Sequence, residues 1–212
     1  MADAPLVHVV DDDEAVRDSL ALLLESSGMS ARTYDSAAAF LKALPNLASG
    51  CVLTDVRMPD LDGLELQRRL MELGVQMPVI VMTGHGDVPI AVEALKAGAA
   101  DFLEKPFDDA QLLAAVSSAL AAGQRAQDEQ AALAGIARRL TSLTPREREV
   151  LDRLVAGQPN KTIAYDLGSS PRTVEVHRAR VMEKMGVRNL PELVRMTIAA
   201  ERATPLGKAP RR

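Results

Sequence analysis

The chain has 212 residues, of which 47% are hydrophobic, enough for the ordinary cores of one or two domains. Its single cysteine excludes an intramolecular disulfide, no apolar run approaches the roughly 20 residues of a membrane helix, and no secretory signal is visible, so we expect a cytoplasmic protein without a membrane segment. Residues 1–124 carry 8 Lys and Arg against 19 Asp and Glu, a formal −11, whereas residues 125–212 carry 17 against 10, a formal +7, which predicts two domains with different partners, the basic one suited to nucleic acid.

Short apolar runs alternate with helix-like patterns over residues 5–122, as in a series of βαβ units. The predicted strands cover residues 6–10, 30–34, 51–54, 79–82 and 100–103. The predicted helices cover residues 14–26, 36–44, 63–73 and 88–97, and a fifth begins near residue 108. We therefore expect an α/β domain at 1–122 whose parallel sheet has the strand order 2-1-3-4-5, the flavodoxin-like (βα)5 arrangement.

Polar residues follow four of these strands: Asp11, Asp12, Asp55, Thr83 and Lys105. Because ligands of an open parallel sheet bind outside the carboxyl ends of its strands, these side chains should converge on one crevice. Carboxylates supply hard oxygen ligands for a small cation, and a hydroxyl and an ammonium can hold phosphoryl oxygens. The set predicts a site for Mg²⁺ and a phosphoryl group, in which an Asp can form an acyl phosphate.

This ordered set, with the strings VVDDDEAVRDSL, TDVRMPDLDGLEL and VIVMTGHGDVPIAVEALKAGAADFLEKPF, resembles the receiver domain of bacterial two-component response regulators over residues 5–122. The resemblance implies that Asp55 accepts a phosphoryl group from a sensor histidine kinase. It further implies Mg²⁺ held by Asp11, Asp12, Asp55 and the backbone carbonyl of Arg57, pairing of Lys105 with the phosphoryl group, and a switch formed by Thr83 and Phe102.

Other interpretations of the same residues stay open on the sequence. An isolated Asp at a strand end is usually a helix cap, and Asp55 could also be the nucleophile of a phosphatase or ATPase. Haloacid-dehalogenase-like enzymes need a second Asp two residues after the nucleophile, where this chain has Arg57. Steady release of inorganic phosphate from a small substrate would favour an enzyme. DNA binding indifferent to a phosphate donor would favour a phosphorylation-independent DNA-binding or scaffold protein.

Residues 123–140 are rich in Ala, Gln and charge and contain no Pro. They predict a helical linker with Gly123 or Gly135 as weak points, and a flexible coil is the alternative. Residues 204–212 are predicted to form a disordered basic tail.

Between linker and tail, residues 141–203 are predicted to form an all-α domain of four short helices, at 145–156, 160–167, 171–185 and from about 190. Thr144 and Glu147 have the spacing of a capping box, and three further residues are predicted N-caps: Asn160, Ser170 and Asn189. The second and third helices, joined by a tight Gly-containing turn, form a helix-turn-helix.

The string LTPREREVLDRLVAGQPNKTIAYDLGSSPRTVEVHRARVMEKMGVRN resembles the LuxR-type DNA-binding domain, and the two halves together resemble the FixJ subfamily of response regulators. The resemblance implies base reading by Glu175, Val176 and Ala179. It implies phosphate contacts by Lys161, Arg172, Thr173, Arg178, His177 and Lys184, although His177 could instead be a packed helix residue.

The combined expectation is a phosphorylation-switched transcription factor, with no enzymatic activity beyond self-directed phosphoryl transfer to Asp55 and its slow hydrolysis. In related regulators the face of the fourth helix and fifth strand dimerises, which implies a dimer face at Val92, Lys96 and Asp101. The expected partners are a cognate sensor histidine kinase, promoter DNA, RNA polymerase and, after phosphorylation, a second copy of the chain.

Overall fold

Five parallel strands form the sheet of the first part of the chain. The computed structural model describes residues 5–84 and 88–203, and the chain divides into two units, Met1–Gln127 and Asp128–Arg212. The strands are β1 Leu6–Val10, β2 Ser30–Tyr34, β3 Cys51–Asp55, β4 Val79–Thr83 and β5 Asp101–Glu104. They pair in the order β2-β1-β3-β4-β5, all in parallel, which confirms the predicted flavodoxin-like order.

The ends of β3 and β4 lie one residue later than the sequence predicts. Backbone pairing continues past the apolar run, since Asp55 is in register with Met82 and the Val56 N–H donates to the Met82 carbonyl at 2.9 Å. β5 is likewise displaced by one residue. Asp55 and Thr83 are therefore the last residues of their strands, where the sheet itself fixes their backbones.

Helices cover both faces of the sheet: α1 Glu14–Ser26, α2 Ala37–Ala43, α3 Gly63–Glu72, α4 Val88–Lys96 and α5 Asp109–Thr141. Leu53 and Ile80 pack with α1 and α5, whereas Val52 and Val81 pack with the other three helices, as the two-residue repeat of a strand requires. Ser36 caps α2 rather than starting it, and a short 3₁₀ turn at Leu44–Asn46 replaces the end of the helix predicted at 36–44. Among the described residues, no helix combines the length and apolarity needed to cross a bilayer.

The fifth helix extends far beyond its predicted packing segment. It is continuous to Thr141, so the residues predicted as a linker, 123–140, are helical. Gly123 is buried, and a Cβ at this position would lie 3.0 Å from Cδ of Pro78. The glycine thus permits close packing and is not the weak point that the sequence suggested. The domain boundaries at 122/123 and 140/141 stay predictions, and the tail at 204–212 lies outside the described residues.

The second unit contains the four predicted helices: α6 Pro145–Val155, α7 Asn160–Asp166, α8 Pro171–Met185 and α9 Leu190–Ala203. Each contributes to one apolar core, of which Leu151, Ile163 and Val181 are fully buried members. The capping box of Thr144 and Glu147 is present, and Ser170 caps α8. The prediction for Asn160 is wrong: it is the first residue of α7, and the extended Pro159 before it provides no side-chain cap.

Candidate functional site

Three charged side chains meet at the carboxyl end of the sheet. Lys105 follows β5, and its Nζ lies 3.0 Å from Oδ2 of Asp11 and 2.6 Å from Oδ1 of Asp55. The Lys105 N–H donates to the Thr83 carbonyl at 2.7 Å, which ties the residue to the end of β4. The structure thus brings together residues separated by 50 and 94 positions in the sequence.

Each of the two carboxylates is also held by a backbone N–H. The Asp13 N–H donates to Oδ1 of Asp11 at 2.9 Å, and the Arg57 N–H donates to Oδ2 of Asp55 at 2.6 Å. One oxygen of each carboxylate therefore binds the main chain while the other binds Lys105. This division fixes the orientation of both groups. Both residues are buried, with 2% of Asp11 and 9% of Asp55 exposed.

The electrostatics of the site keep Lys105 charged. Burial alone would lower the pKa of its ammonium, but the hydrogen bonds and negative charges of Asp55 and Asp11 outweigh burial and raise the pKa above its ordinary value. Two close carboxylates would repel each other without a cation between them, so the ammonium is the group that makes their proximity tolerable.

Gly63 is a site residue that the sequence analysis recognised only as the start of a helix. A Cβ at this position would lie 2.3 Å from the carbonyl oxygen of Asp55, and the Gly63 N–H donates to the Val56 carbonyl at 3.0 Å. The absence of a side chain lets the first turn of α3 approach the backbone of Asp55. The glycine directly after the N-cap Asp62 was the available sequence signal.

The other predicted members of the site are placed less centrally. Thr83 is buried, and its hydroxyl donates to the Gly84 carbonyl at 2.9 Å. Asp12 is exposed beside Asp11, and Phe102 is 36% exposed on β5. The structure therefore joins Asp11, Asp55 and Lys105 directly, and leaves Asp12, Thr83 and Phe102 around them.

The donor chemistry of the site fits a small divalent cation. Asp11 and Asp55 already converge on the single positive charge of Lys105, and Asp12 and the carbonyl of Arg57 are further hard oxygen donors beside them. Within residues 5–84 and 88–203, no three His, Cys, Asp or Glu side chains stand close enough together to form a ready-made metal cluster. The groups that would hold Mg²⁺ here are the carboxylates of Asp11, Asp12 and Asp55 and the backbone carbonyl of Arg57.

A second candidate site is the exposed face of α8. Val174, Val181 and Met185 are fully buried, so the opposite face of this amphipathic helix meets solvent. Its exposed members include five of the predicted DNA contacts: Arg172, Thr173, Glu175, Val176 and Ala179. Arg178 is half-buried, and Lys161 is exposed on α7. The exposed face combines cations with small and apolar side chains, which suits contact with both phosphates and base edges.

Two of the predicted DNA contacts have side-chain nitrogens that face the interior of the domain or bind other protein groups. Nδ1 of His177 is buried and has no hydrogen-bond partner in the described part of the chain. Nζ of Lys184 lies 2.6 Å from Oε2 of Glu147 and 3.2 Å from the Ser142 carbonyl. These placements favour packing roles, and they make His177 and Lys184 weaker candidates for phosphate contacts than the exposed residues.

Exposed apolar residues mark two further surfaces. On α4, Val92 is 44% exposed with Lys96 exposed one turn later, and Leu95 beside them is 45% exposed. Asp101 is half-buried at the start of β5, where its Oδ1 accepts from the Phe102 N–H at 2.9 Å. On α7, Tyr165 is 87% exposed. Leu95 and Tyr165 have no sequence signal as surface residues, because their apolar character alone predicts burial.

Both halves of the chain match described families. Residues 7–117 match the family described as "Response regulator receiver domain". Residues 141–197 match the family described as "Bacterial regulatory proteins, luxR family". The first match includes every residue of the acidic site, and the second includes the whole of α8. Receiver domains of this family generally bind Mg²⁺ at their acidic phosphorylation site.

Several relatives match the chain across both halves. The transcriptional regulatory protein FixJ of Azorhizobium caulinodans is 59% identical over 194 residues, which cover 92% of each chain. FixJ of Bradyrhizobium diazoefficiens is 52% identical over 92% of this chain and 95% of its own. A low-resolution structure of the response regulator StyR superposes with a TM-score of 0.83 at 39% identity, over 92% of this chain and 98% of its own. Full-length FixJ from B. japonicum gives a TM-score of 0.60 at 51% identity, over 93% and 98%.

The double ion pair of Lys105 generates a prediction about stability and metal. Lys105→Met should lower the free energy of unfolding of the first unit by about 1–3 kcal/mol, because two close carboxylates lose their shared cation at a site that is partly open to solvent. Millimolar Mg²⁺ should restore more stability to the variant than it adds to the wild type, because the metal ion replaces the missing positive charge. Urea unfolding followed by circular dichroism measures both effects.

The matched control is Lys42→Met, which removes an exposed lysine from the same unit. It should change the free energy of unfolding by less than about 0.5 kcal/mol and respond to Mg²⁺ as the wild type does. An identical Mg²⁺ response in the wild type and Lys105→Met would contradict a cation site between the two carboxylates.

Proposed function

The chain belongs to the FixJ-like response regulators, and we propose that a sensor histidine kinase phosphorylates Asp55 to switch it into a dimer that binds promoter DNA and regulates transcription. It is a transcriptional response regulator and not a classical enzyme. The observation that carries the proposal is the placement of Asp55, whose two carboxylate oxygens are held 2.6 Å from Lys105 Nζ and 2.6 Å from the Arg57 N–H. RNA polymerase is a further proposed partner.

The proposed reaction is a transfer of the phosphoryl group between two nucleophiles. A carboxylate oxygen of Asp55 attacks the phosphorus of a phosphohistidine, the O–P bond forms, the P–N bond breaks, and the imidazole nitrogen that leaves takes up a proton. Lys105, already beside that carboxylate, can follow the negative charge onto the phosphoryl oxygens. When bound, Mg²⁺ would neutralise phosphoryl charge, and Asp11, Asp12, Asp55 and the Arg57 carbonyl would hold it.

Thr83 and Phe102 are proposed to carry the change away from Asp55. The Thr83 hydroxyl can reach a phosphoryl oxygen only by giving up the Gly84 carbonyl that it now binds. Phe102, in register with Val81 on the neighbouring strand, has exposed ring surface that an inward turn would bury. The two residues adjoin α4 and β5, so their movement would alter the surface that includes Val92.

The first test identifies the phosphorylated residue. Acetyl phosphate with Mg²⁺ should add one phosphoryl group to the wild type, seen by intact mass, and none to Asp55→Asn, because an amide is a far poorer nucleophile than a carboxylate. Asp60→Asn is the matched control: Asp60 is exposed in the loop after β3, and its φ of 66° is one that Asn accepts. Normal labelling of Asp55→Asn would rule out Asp55 as the only acceptor.

Dimerisation is proposed to use the exposed face of α4 and β5. In a two-fold interface, Val92 would pack near its copy, and Lys96 and Asp101 could form reciprocal ion pairs. Exposed ion pairs contribute only about 0–1 kcal/mol each, so these would set orientation while apolar contact supplies most of the affinity. The partial exposure of Val92 and Leu95 provides that apolar surface.

Sedimentation tests this face. Phosphorylated wild type should shift toward dimer, whereas Val92→Asp should remain monomeric while labelling on Asp55 stays normal, because a charge would be buried at the interface. Leu22→Asp introduces the same charge at a 70% exposed leucine on α1 and should dimerise like the wild type. A full dimer shift in Val92→Asp would place the interface elsewhere.

The second domain is proposed to read DNA through α8 in the major groove. Such helices present side chains near their N-terminus to base edges, while a dimer engages two half-sites. Glu175 can accept from cytosine N4, and Val176 and Ala179 can meet a thymine methyl. The exposure of all three residues supports this assignment, as does the basic charge of the surrounding surface.

Variants of α8 separate base reading from phosphate contact. With a duplex selected from a random-sequence pool by the phosphorylated wild type, Arg178→Ala should weaken binding to all sequences and reduce the salt slope by about 1. Val176→Ala and Glu175→Ala should instead change the preferred sequence at a fixed position. Arg195→Ala, at an exposed arginine of α9, is the control that should leave both properties unchanged. Wild-type behaviour in all three α8 variants would refute the assignment of the recognition helix.

A further inference from the structure

The last carbonyl groups of α8 are capped by backbone N–H groups and by one side chain from another helix. Gly186 has a φ of 66°, its N–H donates to the Glu183 carbonyl at 3.0 Å, and the Val187 N–H donates to the Met182 carbonyl at 3.0 Å. These are the two hydrogen bonds of a Schellman cap. The carbonyl of Met185 remains outside this pattern, and it accepts a hydrogen bond of 2.9 Å from Nη1 of Arg139.

The guanidinium of Arg139 lies close to the cap glycine. A Cβ on Gly186 would lie 3.1 Å from Nη1 of Arg139, so the glycine both adopts the left-handed conformation and leaves room for the guanidinium. A cation at this position is also stabilised by the negative end of the helix dipole. Arg139 comes from the end of α5, where Ile136 and Leu140 pack against the core of the second unit.

The same end of α8 is tied from a second direction. Lys184 in its last turn binds Glu147, the buried acidic member of the α6 capping box. The hydrogen bond from Lys184 is the main reason that the pKa of Glu147 falls to about 2, so this carboxylate is ionised throughout the neutral range. Two attachments to different helices, one through Arg139 and one through Lys184, restrict how α8 can tilt.

We propose that Arg139 is a positioning residue for DNA recognition: it holds the C-terminal end of α8 and thereby sets the angle at which α8 meets the bases. The inference rests on the proposed function of α8 in DNA reading. Val176 lies about 14 Å along the helix from Met185, so a tilt of about 5° at the cap would displace it by about 1 Å. Arg139 lies outside residues 141–197, the segment that matches the LuxR-type family.

The test compares three variants of the full-length chain: Arg139→Met, Arg139→Lys and Arg138→Met. Arg139→Met keeps an unbranched apolar stem and removes the guanidinium donor. Arg139→Lys keeps a donor and the charge, and Arg138→Met removes the adjacent exposed arginine as a control. The probes are a duplex selected by the phosphorylated wild type and a shuffled duplex of the same composition. Amide exchange of Gly186 and Val187, followed by NMR without DNA, reports the cap itself.

Arg139→Met should speed exchange of these two amides about tenfold and weaken binding of the selected duplex by a similar factor, the effect of one charged hydrogen bond. Binding of the shuffled duplex and the salt slope should stay at wild-type values, because Arg139 does not contact a phosphate. Arg139→Lys should recover part of both losses, and Arg138→Met should show neither. Partial recovery by Lys distinguishes positioning from a general loss of folding.

Three results would overturn the proposal. Unchanged exchange of Gly186 and Val187 in Arg139→Met would show that Arg139 does not hold the helix end. Equal weakening on both duplexes with a salt slope reduced by about 1 would make Arg139 a direct phosphate contact. If Arg138→Met changed amide exchange and duplex binding as much as Arg139→Met does, the effect of Arg139 would be one of net charge and not of a specific hydrogen bond. If the wild type selected no duplex at all, the proposed function would fail, while the exchange comparison would still report on the cap.

Discussion

The bridge from Lys105 to Asp11 and Asp55 is the interaction on which the first unit is organised. It joins the ends of β1, β3 and β5. These strands are far apart in the sequence, and the bridge links side chains at all three of their ends. Two carboxylates that converge on one point repel each other. The ammonium between them offsets that repulsion and lets both lie at the same site.

This arrangement also fixes the orientation of two buried carboxylates. Each uses one oxygen for a backbone N–H and the other for Lys105, so the position of both groups is set before any ligand arrives. The close approach of Gly63 holds the backbone beneath Asp55 in place. Preorganisation of this kind is the main contribution that a protein makes to phosphoryl transfer, in which little covalent chemistry is required of it.

The sequence predicted those features that are determined locally. Short apolar runs predicted the strands, and Ser170 and the Thr144–Glu147 pair predicted two helix starts correctly. Asn160 failed because it is already the first residue of α7, so that Pro159, which has no capping side chain, occupies the cap position. Gly123 was misjudged because propensity treats glycine as a weak point, whereas its role depends on Pro78, which is 45 residues away in sequence. The pairing of Arg139 with Met185 had no local signal at all.

The net charge of the second half also predicts only part of what the structure shows. Its formal +7 correctly indicates a domain suited to an anionic partner. Many of the basic side chains nevertheless bind protein groups, at the end of α8 and along α6: Arg139, Lys184, Arg146, Arg148 and Arg153. Because a cation that is held by a carboxylate or a carbonyl displaces few counterions from DNA, the number of phosphate contacts should be smaller than the number of basic residues. Net charge therefore identifies the class of partner, while burial and pairing decide which of the cations meet it.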